Sequence, residues 1–153
     1  AGRNPNTMIT IIQRVTSANV VVNKNKIAEI DKGILPLVAI EKPDTEKTAQ
    51  RLLERIINYR LFADDQDRMN LSLLDVNGGL LLVPQFTLAA NTDTGNRPSF
   101  ASAAAPEQGL KLLNYLQTYA SANFQNVKFG EFGANMQVSL VNDGPVTFTL
   151  KVG

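Results

Sequence analysis

The sequence predicts a mixed α/β domain of α+β character, with about seven strands in mixed sheets and two amphipathic helices. Three observations predict this class. Alternating apolar residues, which are typical of half-buried strands, occur near both ends of the chain. Segments 44–60 and 106–124 carry apolar residues at i, i+3 and i+4, as amphipathic helices do. The chain has 153 residues, of which 44% are hydrophobic, so it can bury the core of one domain.

The chain begins with a polar segment, residues 1–7, that precedes Met8. We expect this segment to be foreign to the native chain, which leaves a single domain over residues 8–153. The residues after Met8 are too polar at Gln13 and Arg14 for a signal peptide, and no apolar run approaches the ~20 residues of a membrane helix. Because the sequence also lacks cysteine, we expect a cytoplasmic protein without membrane contact.

The first third of the chain predicts three strands. Apolar alternation marks Ile9–Asn23 as a long strand and Ile27–Ile30 as its return. The apolar run Ile34–Ile40 is typical of a strand inside a sheet. Pro36 lies within this run and cannot donate to a ladder, so we expect an edge position or a strand start there.

The clearest helix is segment 44–60, which can be capped by Asp44 or Thr45. Its buried stripe is expected to comprise five apolar residues: Ala49, Leu52, Leu53, Ile56 and Ile57. A basic stripe follows i, i+4 spacing on the opposite face: Lys47, Arg51 and Arg55. Such a stripe is ordinarily a solvated face, and a phosphate-contacting surface is the alternative.

The middle of the chain predicts two more strands and the second helix. Met69–Leu73 reads as a short strand, segment 75–79 carries an Asn-Gly hairpin signal, and a buried strand returns from Leu80. The polar segment 91–99 is expected to be a flexible binding loop. Pro106 opens the second helix. Its apolar stripe comprises Leu112, Leu113, Leu116, Tyr119 and Ala120.

Near the end of the chain, two alternating runs, 136–140 and 146–150, flank the polar residues 142–145. The plain interpretation is a hairpin turn between two strands. Gly144 allows the backbone to approach a ligand closely, and Pro145 fixes φ without offering an N–H donor. The pair would then present carbonyl oxygens on a stiff tip, which suits recognition of an ammonium group.

The number of helices bears on the oligomeric state. Two helices cannot cover both faces of so many strands. We expect a second copy of the chain to bury part of the sheet, so the sequence predicts a symmetric dimer.

The composition excludes several kinds of chemistry. Histidine is absent, which removes Ser-His-Asp and Cys-His arrangements and the commonest general base. The absence of cysteine excludes thiolate metal sites, and the acidic turn 64–67 lacks the spacing of a calcium loop. We therefore expect neither a metal nor a cofactor. The net charge of +1 gives no global attraction for polyanions.

Several short segments together resemble the D-aminoacyl-tRNA deacylase family over about Met8 to Val152. They occur in the family's order, and the combination is specific although each segment is weak by itself: Ile12–Val15, Arg51–Arg60, Met69–Leu73, Gln85–Thr87, Arg97–Phe100 and Asn142–Thr147. The resemblance implies a homodimer that hydrolyses the ester between a D-amino acid and the 3′ end of tRNA. It also implies that the enzyme clears glycine mischarged on tRNA, as a proofreading hydrolase of translation quality control.

The resemblance assigns Gly144 and Pro145 to the family's Gly-cis-Pro pair, which enters the partner subunit's site at the dimer interface. The carbonyl oxygens of the pair bind the substrate amino group there. A D-side chain then points toward the opening, an L-side chain strikes the pair, and glycine has no side chain to exclude. Supporting or adenosine-binding roles are implied for Arg14, Met136 and Asn142, although an ordinary surface arginine and a core methionine remain open.

The resemblance assigns the catalytic segment to Gln85, Phe86 and Thr87. Main-chain N–H groups around Phe86 and Thr87 suit the ester carbonyl oxygen. Thr87 is the natural side-chain nucleophile, but no base is evident to activate it. The resemblance implies instead that the 2′-hydroxyl of the terminal ribose assists attack by water. Pro84 departs from the family's serine, which removes a hydroxyl and a backbone donor.

The expected partners are the 3′ end of aminoacyl-tRNA and a second copy of the chain, with no DNA. Arg97 joins the basic stripe as a candidate for contacts with the acceptor stem. Two other functions stay open. One is a dimer that binds tRNA 3′ ends and in which Pro84 has disabled hydrolysis. The other is an esterase or amidase that acts on free D-amino acid derivatives.

Overall fold

The computed structural model describes residues 8–152, and the expectation for residues 1–7 lies outside this range. Its strands are β1 (Met8–Val22), β2 (Asn25–Ile30), β3 (Gly33–Ala39), β4 (Phe62–Ala63), β5 (Met69–Leu71), β6 (Gly79–Pro84), β7 (Val127–Phe129) and β8 (Met136–Val152). Its helices are α1 (Glu46–Asn58), α2 (Leu73–Val76) and α3 (Pro106–Asn123), with a 3₁₀ turn at Phe86–Ala89. None of the helices described here has the length and apolar character that crossing a membrane requires.

Six strands form one mixed sheet in the order β2-β1-β3-β6-β7, with β8 paired to β1. β3 is parallel to β6 and β6 to β7, whereas β1 is antiparallel to all of its neighbours. The other two strands, β4 and β5, form a small antiparallel pair. The predicted mixed α/β class is confirmed. Residues 8–152 contain eight strands rather than about seven, and the short helix α2 was not predicted.

The long strands β1 and β8 organise the sheet. β2 and β3 pair with successive halves of one edge of β1, and β8 follows the other edge. No other strand within residues 8–152 pairs with the outer edge of β8. This strand of 17 residues therefore presents a long row of main-chain donors and acceptors to its surroundings.

Both faces of the central strands are buried within one chain. On one face, α1 and α3 pack against Ile34 and Leu80. On the other face, Leu35 and Leu81 belong to a second core cluster formed with the far half of β1, with β2 and with the first half of β8. The sheet thus folds over itself. A single chain therefore buries both faces of its central strands, and the predicted dimer stays a prediction.

Both predicted helices are confirmed, and local chemistry sets where they begin. The N-cap of α1 is Thr45, whose hydroxyl accepts from the Thr48 N–H at 3.3 Å, while Thr48 Oγ1 accepts from the Thr45 N–H at 2.7 Å. Pro106 occupies the first position of α3, where its missing N–H leaves no helical bond unmade. The predicted apolar stripes of both helices face the core, with Tyr119 half-buried at its margin.

The Asn-Gly signal at 75–79 does not form a hairpin, so that prediction is wrong. Ser72 and Asp75 form a capping box that starts α2: the Ser72 N–H donates to the Asp75 carboxylate at 2.8 Å. This bond is the main reason that the pKa of Asp75 lies below its usual value. Asn77 ends the helix with a φ of 51°. The strand that begins at Met69 is consequently short and pairs with β4.

Pro36 lies in a central strand, so the predicted edge position is wrong. β3 has β1 on one side and β6 on the other. The parallel ladder with β6 pairs residues 33, 34, 37 and 38 and skips the two residues between them, one of which is Pro36. This gap accommodates a residue that has no N–H to donate.

Candidate active site

A cavity of about 540 Å³ opens where β3 and β6 end and α3 begins. Its walls come from Val38–Ile40, Pro84–Phe86, Ala103–Pro106 and a fourth side that includes Phe132 and Met136. β3 and β6 are parallel, so their carboxyl ends meet at the same edge of the sheet, where ligand sites of α/β proteins commonly lie.

The predicted catalytic segment leaves β6 at the wall of this cavity. The Gln85 N–H donates to Val38 O at 2.8 Å, which ties the segment to the end of β3. Phe86 and Thr87 then open the 3₁₀ turn. Because the first N–H groups of a helix have no acceptor inside it, these two donors are left for an acceptor outside the turn.

The hydroxyl of Thr87 is engaged by a neighbouring side chain. Gln85 Nε2 donates to Thr87 Oγ1 at 2.7 Å. Within residues 8–152, no carboxylate or amine hydrogen-bonds this hydroxyl, and Thr87 itself is exposed and not part of the cavity wall. A serine or threonine nucleophile ordinarily needs an adjacent base, so this arrangement does not activate Thr87.

An aromatic pair and a methionine contribute to the wall. The Phe86 side chain is 65% exposed, and its ring centroid lies 5.2 Å from that of Phe100. Met136 is half-buried, and its sulfur accepts from the Glu131 N–H at 3.4 Å. Exposed aromatic faces beside an apolar side chain suit a flat ring such as a nucleobase. Phe100 was missed as a wall residue, although it ends one of the segments that carry the family resemblance.

The cavity wall, among the residues that the structure describes, contains no ionisable side chain. Proton transfer at this site must therefore involve main-chain groups, amides, water or the ligand itself.

The acidic turn 64–67 has a carboxylate that is hydrogen-bonded to neighbouring backbone N–H groups. The Asp64 carboxylate accepts from the Arg68 N–H at 3.0 Å and the Gln66 N–H at 2.9 Å, and the bond from Arg68 is the main cause of the lowered pKa of Asp64.

The polar residues 142–145 form a protrusion within a continuous strand, so the predicted hairpin turn is wrong. Both flanking runs belong to β8, and both pair with β1. Thr147 pairs with Gln13, and Asn142 pairs with Val15. The residues between Asn142 and Thr147 therefore project from the sheet opposite a single residue of β1, in the manner of a large β-bulge.

The tip of this protrusion is Gly144–Pro145, whose peptide bond is cis, as the resemblance implies. Gly144 has a φ of 133°, a conformation that residues with a side chain rarely adopt. Asn142 closes the base of the protrusion. Its Oδ1 accepts from the Val146 N–H at 2.7 Å, and its Nδ2 donates to Thr147 Oγ1 at 2.8 Å.

Arg14 is the β1 residue opposite the protrusion, and it fixes the tip to the rest of the molecule. Its Nε donates to Asp143 O at 3.0 Å and lies 3.7 Å from the Asp143 carboxylate. Its Nη1 donates to Leu61 O at 2.8 Å. Only 14% of the Arg14 side chain is exposed. A guanidinium with several bonds in a fixed geometry holds the protrusion more firmly than a surface ion pair would.

The protrusion and the cavity lie at opposite ends of α1. At the cavity end, Gln108 Nε2 donates to Lys42 O at 2.7 Å, just before α1 begins. At the other end, Arg14 binds the carbonyl of Leu61, just after α1 ends. α1 has 13 residues and so spans about 20 Å. The structure therefore does not bring Gly144–Pro145 to the cavity of its own chain.

Two solved structures share this fold. A c-Myc DNA unwinding element binding protein matches with a TM-score of 0.90 and 36% identity, over 95% of this chain and 99% of that one. A probable eukaryotic D-amino acid tRNA deacylase matches with a TM-score of 0.82 and 16% identity, over 95% of this chain and 100% of that one, which shows a shared fold. The fold is thus a mixed α/β domain that this chain shares with both of these solved structures.

The chain belongs to the D-Tyr-tRNA(Tyr) deacylase family, whose model matches residues 11–151. The D-aminoacyl-tRNA deacylase of Francisella tularensis subsp. novicida is 50% identical over 95% of this chain and 100% of the relative. The enzyme of that name from Nitrosococcus oceani is 54% identical over 95% of this chain and 94% of the relative. That of Pseudoalteromonas translucida is 56% identical, over 93% and 98%. The family resemblance deduced from the short segments is confirmed.

Proposed function

We propose that this chain hydrolyses the ester bond that joins a D-amino acid to the 3′ end of tRNA, releasing free amino acid and tRNA. It is a chiral proofreading enzyme of the cytoplasm, and it also removes glycine mischarged on tRNA. Family membership supports the substrate class. The observation that carries the chemistry is a described cavity wall without any ionisable side chain, next to the main-chain N–H groups of Phe86 and Thr87, which have no acceptor inside their turn.

Main-chain N–H groups stabilise the transition state. Phe86 and Thr87 donate to the ester carbonyl oxygen and so offset the negative charge that develops as water adds to the carbonyl carbon. The bond from the Gln85 N–H to Val38 O holds these donors on the sheet, so they need little reorganisation. Removing one donor of this kind typically raises a barrier by about 2.7–4 kcal/mol. Pro84 precedes both donors and removes neither, which makes the departure from serine tolerable.

The substrate supplies the proton-transfer group that the described cavity wall lacks. In any aminoacyl-tRNA, the 2′-hydroxyl of the terminal ribose lies next to the 3′ ester. It accepts a proton from the attacking water and passes a proton to the 3′ oxygen as that oxygen leaves. The water oxygen forms the new bond to carbon, and the tRNA regains its 3′-hydroxyl. Thr87 meanwhile keeps its hydrogen bond with Gln85.

The Gly144–Pro145 tip of a second copy discriminates between D- and L-aminoacyl groups. The tip is separated from its own cavity by about the length of α1, and the outer edge of β8 is unpaired within the described residues. A symmetric dimer brings each tip to the other chain's cavity. There the carbonyl oxygens of the tip accept from the substrate ammonium group. The side chain of a D-residue points toward the opening of the cavity, whereas the side chain of an L-residue clashes with the tip. Glycine has no side chain and is accepted.

The first test of this function compares D-Tyr-tRNA with L-Tyr-tRNA as substrates. We expect the L-ester to be hydrolysed more slowly by roughly 100-fold, or about 2.7 kcal/mol in barrier. Release of labelled tyrosine measures both rates. Binding of D-Tyr-tRNA without turnover would indicate the RNA-binding dimer instead. Turnover of free D-tyrosine esters without tRNA would indicate a small-molecule esterase, and either result contradicts the proposal.

A second test asks which hydroxyl assists the reaction. D-Tyr-tRNA with a 2′-deoxy terminal adenosine should react about 100-fold more slowly or worse, as expected for the loss of a proton-transfer group. Thr87→Ala should keep at least about a tenth of wild-type activity, a change of no more than about 1.4 kcal/mol. Near-total loss in Thr87→Ala, with the 2′-deoxy substrate unaffected, would restore Thr87 as the nucleophile.

DNA binding is a second candidate, favoured by the name of the relative that is 36% identical, a c-Myc DNA unwinding element binding protein. The net charge of +1 gives this chain no general attraction for a duplex, so DNA binding would need a local basic surface. Affinities for duplex DNA and for tRNA at one salt concentration separate the two functions. Tighter binding to the duplex, without deacylation, would favour the second candidate.

A further inference from the structure

A cleft of about 370 Å³ lies between α1 and the end of β8, and it shares no wall residue with the cavity described above. Arg51 and Arg55 line this cleft at i, i+4 spacing, about 6 Å apart along α1. Lys47 continues the spacing one turn earlier, and Lys151 of β8 lies beside Arg55. We call this set the basic ridge, and it comprises Lys47, Arg51, Arg55 and Lys151. All four side chains are exposed. Arg55 Nη1 donates to Lys151 O at 3.2 Å, which orients its guanidinium beside β8.

A carboxylate, Glu54, also lines the cleft, and hydrogen bonds to α3 and to α1 engage one of its oxygens. Its Oε1 accepts from Tyr119 Oη at 3.1 Å and from Gln50 Nε2 at 3.2 Å. Desolvation, and then the bond to Glu54, raise the pKa of Tyr119, so the phenol stays protonated and donates. One oxygen of this carboxylate is thus engaged on the side of α1 that faces α3, whereas Arg55 lies on the side that faces β8.

We propose that the basic ridge binds phosphate groups of the tRNA acceptor stem. The identity of the RNA rests on the proposed function. α1 runs from the cavity of its own chain to the tip that serves the other chain, so the ridge follows the path between the two places where a 3′ end is handled. Regularly spaced cations on a rigid helix complement a regularly spaced chain of phosphates, and the guanidinium of Arg55 can donate to two phosphate oxygens.

Contacts of this kind also bear on which tRNAs the chain can bind. Phosphate contacts position a nucleic acid but do not read its bases. An enzyme that removes a wrong amino acid from many tRNAs gains affinity from such contacts without restricting the tRNA sequence. The ridge supplies binding to the body of the RNA, while the cavity and the tip examine the amino acid.

The test measures the affinity for uncharged, fluorescently labelled tRNA over a series of salt concentrations. Lys47→Glu and Arg55→Glu should each weaken binding roughly fivefold near ~0.15 M salt and reduce the slope of log Kd against log salt by about 1. Lys128→Glu is the matched control. It makes the same kind of charge change on β7, at the opposite edge of the sheet from β8, and should leave the affinity unchanged.

Enzyme kinetics supply an independent readout. The ridge variants should raise KM for D-Tyr-tRNA in parallel with Kd, and should leave hydrolysis of D-tyrosyl-adenosine, which has no acceptor stem, at the wild-type rate. Thermal melting of both variants checks for folding defects. Arg55→Glu loses the bond to Lys151 O, whereas Lys47→Glu breaks no bond to β8, so weaker tRNA binding in Lys47→Glu is not explained by a folding defect. Equal effects in Lys128→Glu would overturn the proposal. So would unchanged tRNA slopes combined with weaker binding of inorganic phosphate, which would mark a small-anion site. Because binding of uncharged tRNA needs no catalysis, failure of the ridge and failure of the deacylase function give different results.

Discussion

Gly144→Ala is expected to lower hydrolysis of D-Tyr-tRNA by about 100-fold or more while the protein stays folded. A Cβ at this position would lie 2.7 Å from Val146 Cγ2 and 3.1 Å from Arg14 Nη2, so the tip must move or Arg14 must release it. A displacement of about 1 Å in a positioning group can cost about 100-fold in rate. The φ of 133° adds strain of about 1–3 kcal/mol for any residue with a side chain. The measurement is kcat/KM together with the melting temperature.

Gly95→Ala is the matched control for this variant. Gly95 also has a positive φ, 69°, but a Cβ there would meet nothing within 4 Å. It should therefore carry the strain of a positive φ without disturbing the tip, and keep near-wild-type activity. If both alanine variants lose activity equally, general destabilisation explains the loss. Full activity in Gly144→Ala would show that the carbonyl oxygens of the tip do not hold the substrate.

The features that the sequence predicts well are those decided by neighbouring residues. The apolar stripe of α1, its Thr45 cap and the proline that opens α3 depend on residues within about one helical turn, so spacing alone reveals them. The same holds for the alternation in β1. The false hairpin at 75–79 belongs to this local level too. There the capping box of Ser72 and Asp75 outweighs the Asn-Gly signal that follows it.

The other errors come from partners distant in sequence. Local residues favour a turn at 142–145, but both flanking runs pair with β1, which lies more than a hundred residues earlier, and the turn becomes a protrusion within one strand. Pro36 is accommodated by a gap in a ladder with β6 that its own neighbours do not reveal.

The candidate site divides in the same way. Its residue types could be assigned only through the family resemblance, because Gln85, Phe86 and Thr87 form no catalytic pattern by themselves. The bond from Arg14 to Leu61 O joins positions 47 residues apart, and no periodicity in the sequence predicts it. The absence of histidine is different. It is visible in the composition, and it leaves proton transfer to carboxylates, main-chain groups, water or the substrate, among which only the family resemblance chooses.

Two inactive variants are expected to restore activity to each other when they form a mixed dimer. Gly144→Ala disables the tip, and Ala134→Trp places a bulky ring in the cavity wall. In a mixed dimer, the intact tip of the Ala134→Trp chain meets the intact cavity of the Gly144→Ala chain. One of the two sites is then complete, so a purified mixed dimer should show roughly half of wild-type activity. Co-expression with two different affinity tags isolates the mixed species for the deacylation assay.

The activity of the mixed dimer depends on whether each tip serves the cavity of its own chain or that of the other chain. If each tip served its own chain, every site in the mixed dimer would contain either a disabled tip or a blocked cavity, and activity would stay near zero. The separation of tip and cavity by the length of α1 favours the restored outcome, because 13 helical residues stand between them in one chain. Each variant paired with itself is the control and should be inactive. If the two tags do not co-purify, the predicted dimer is wrong, and so is the division of the site between two chains.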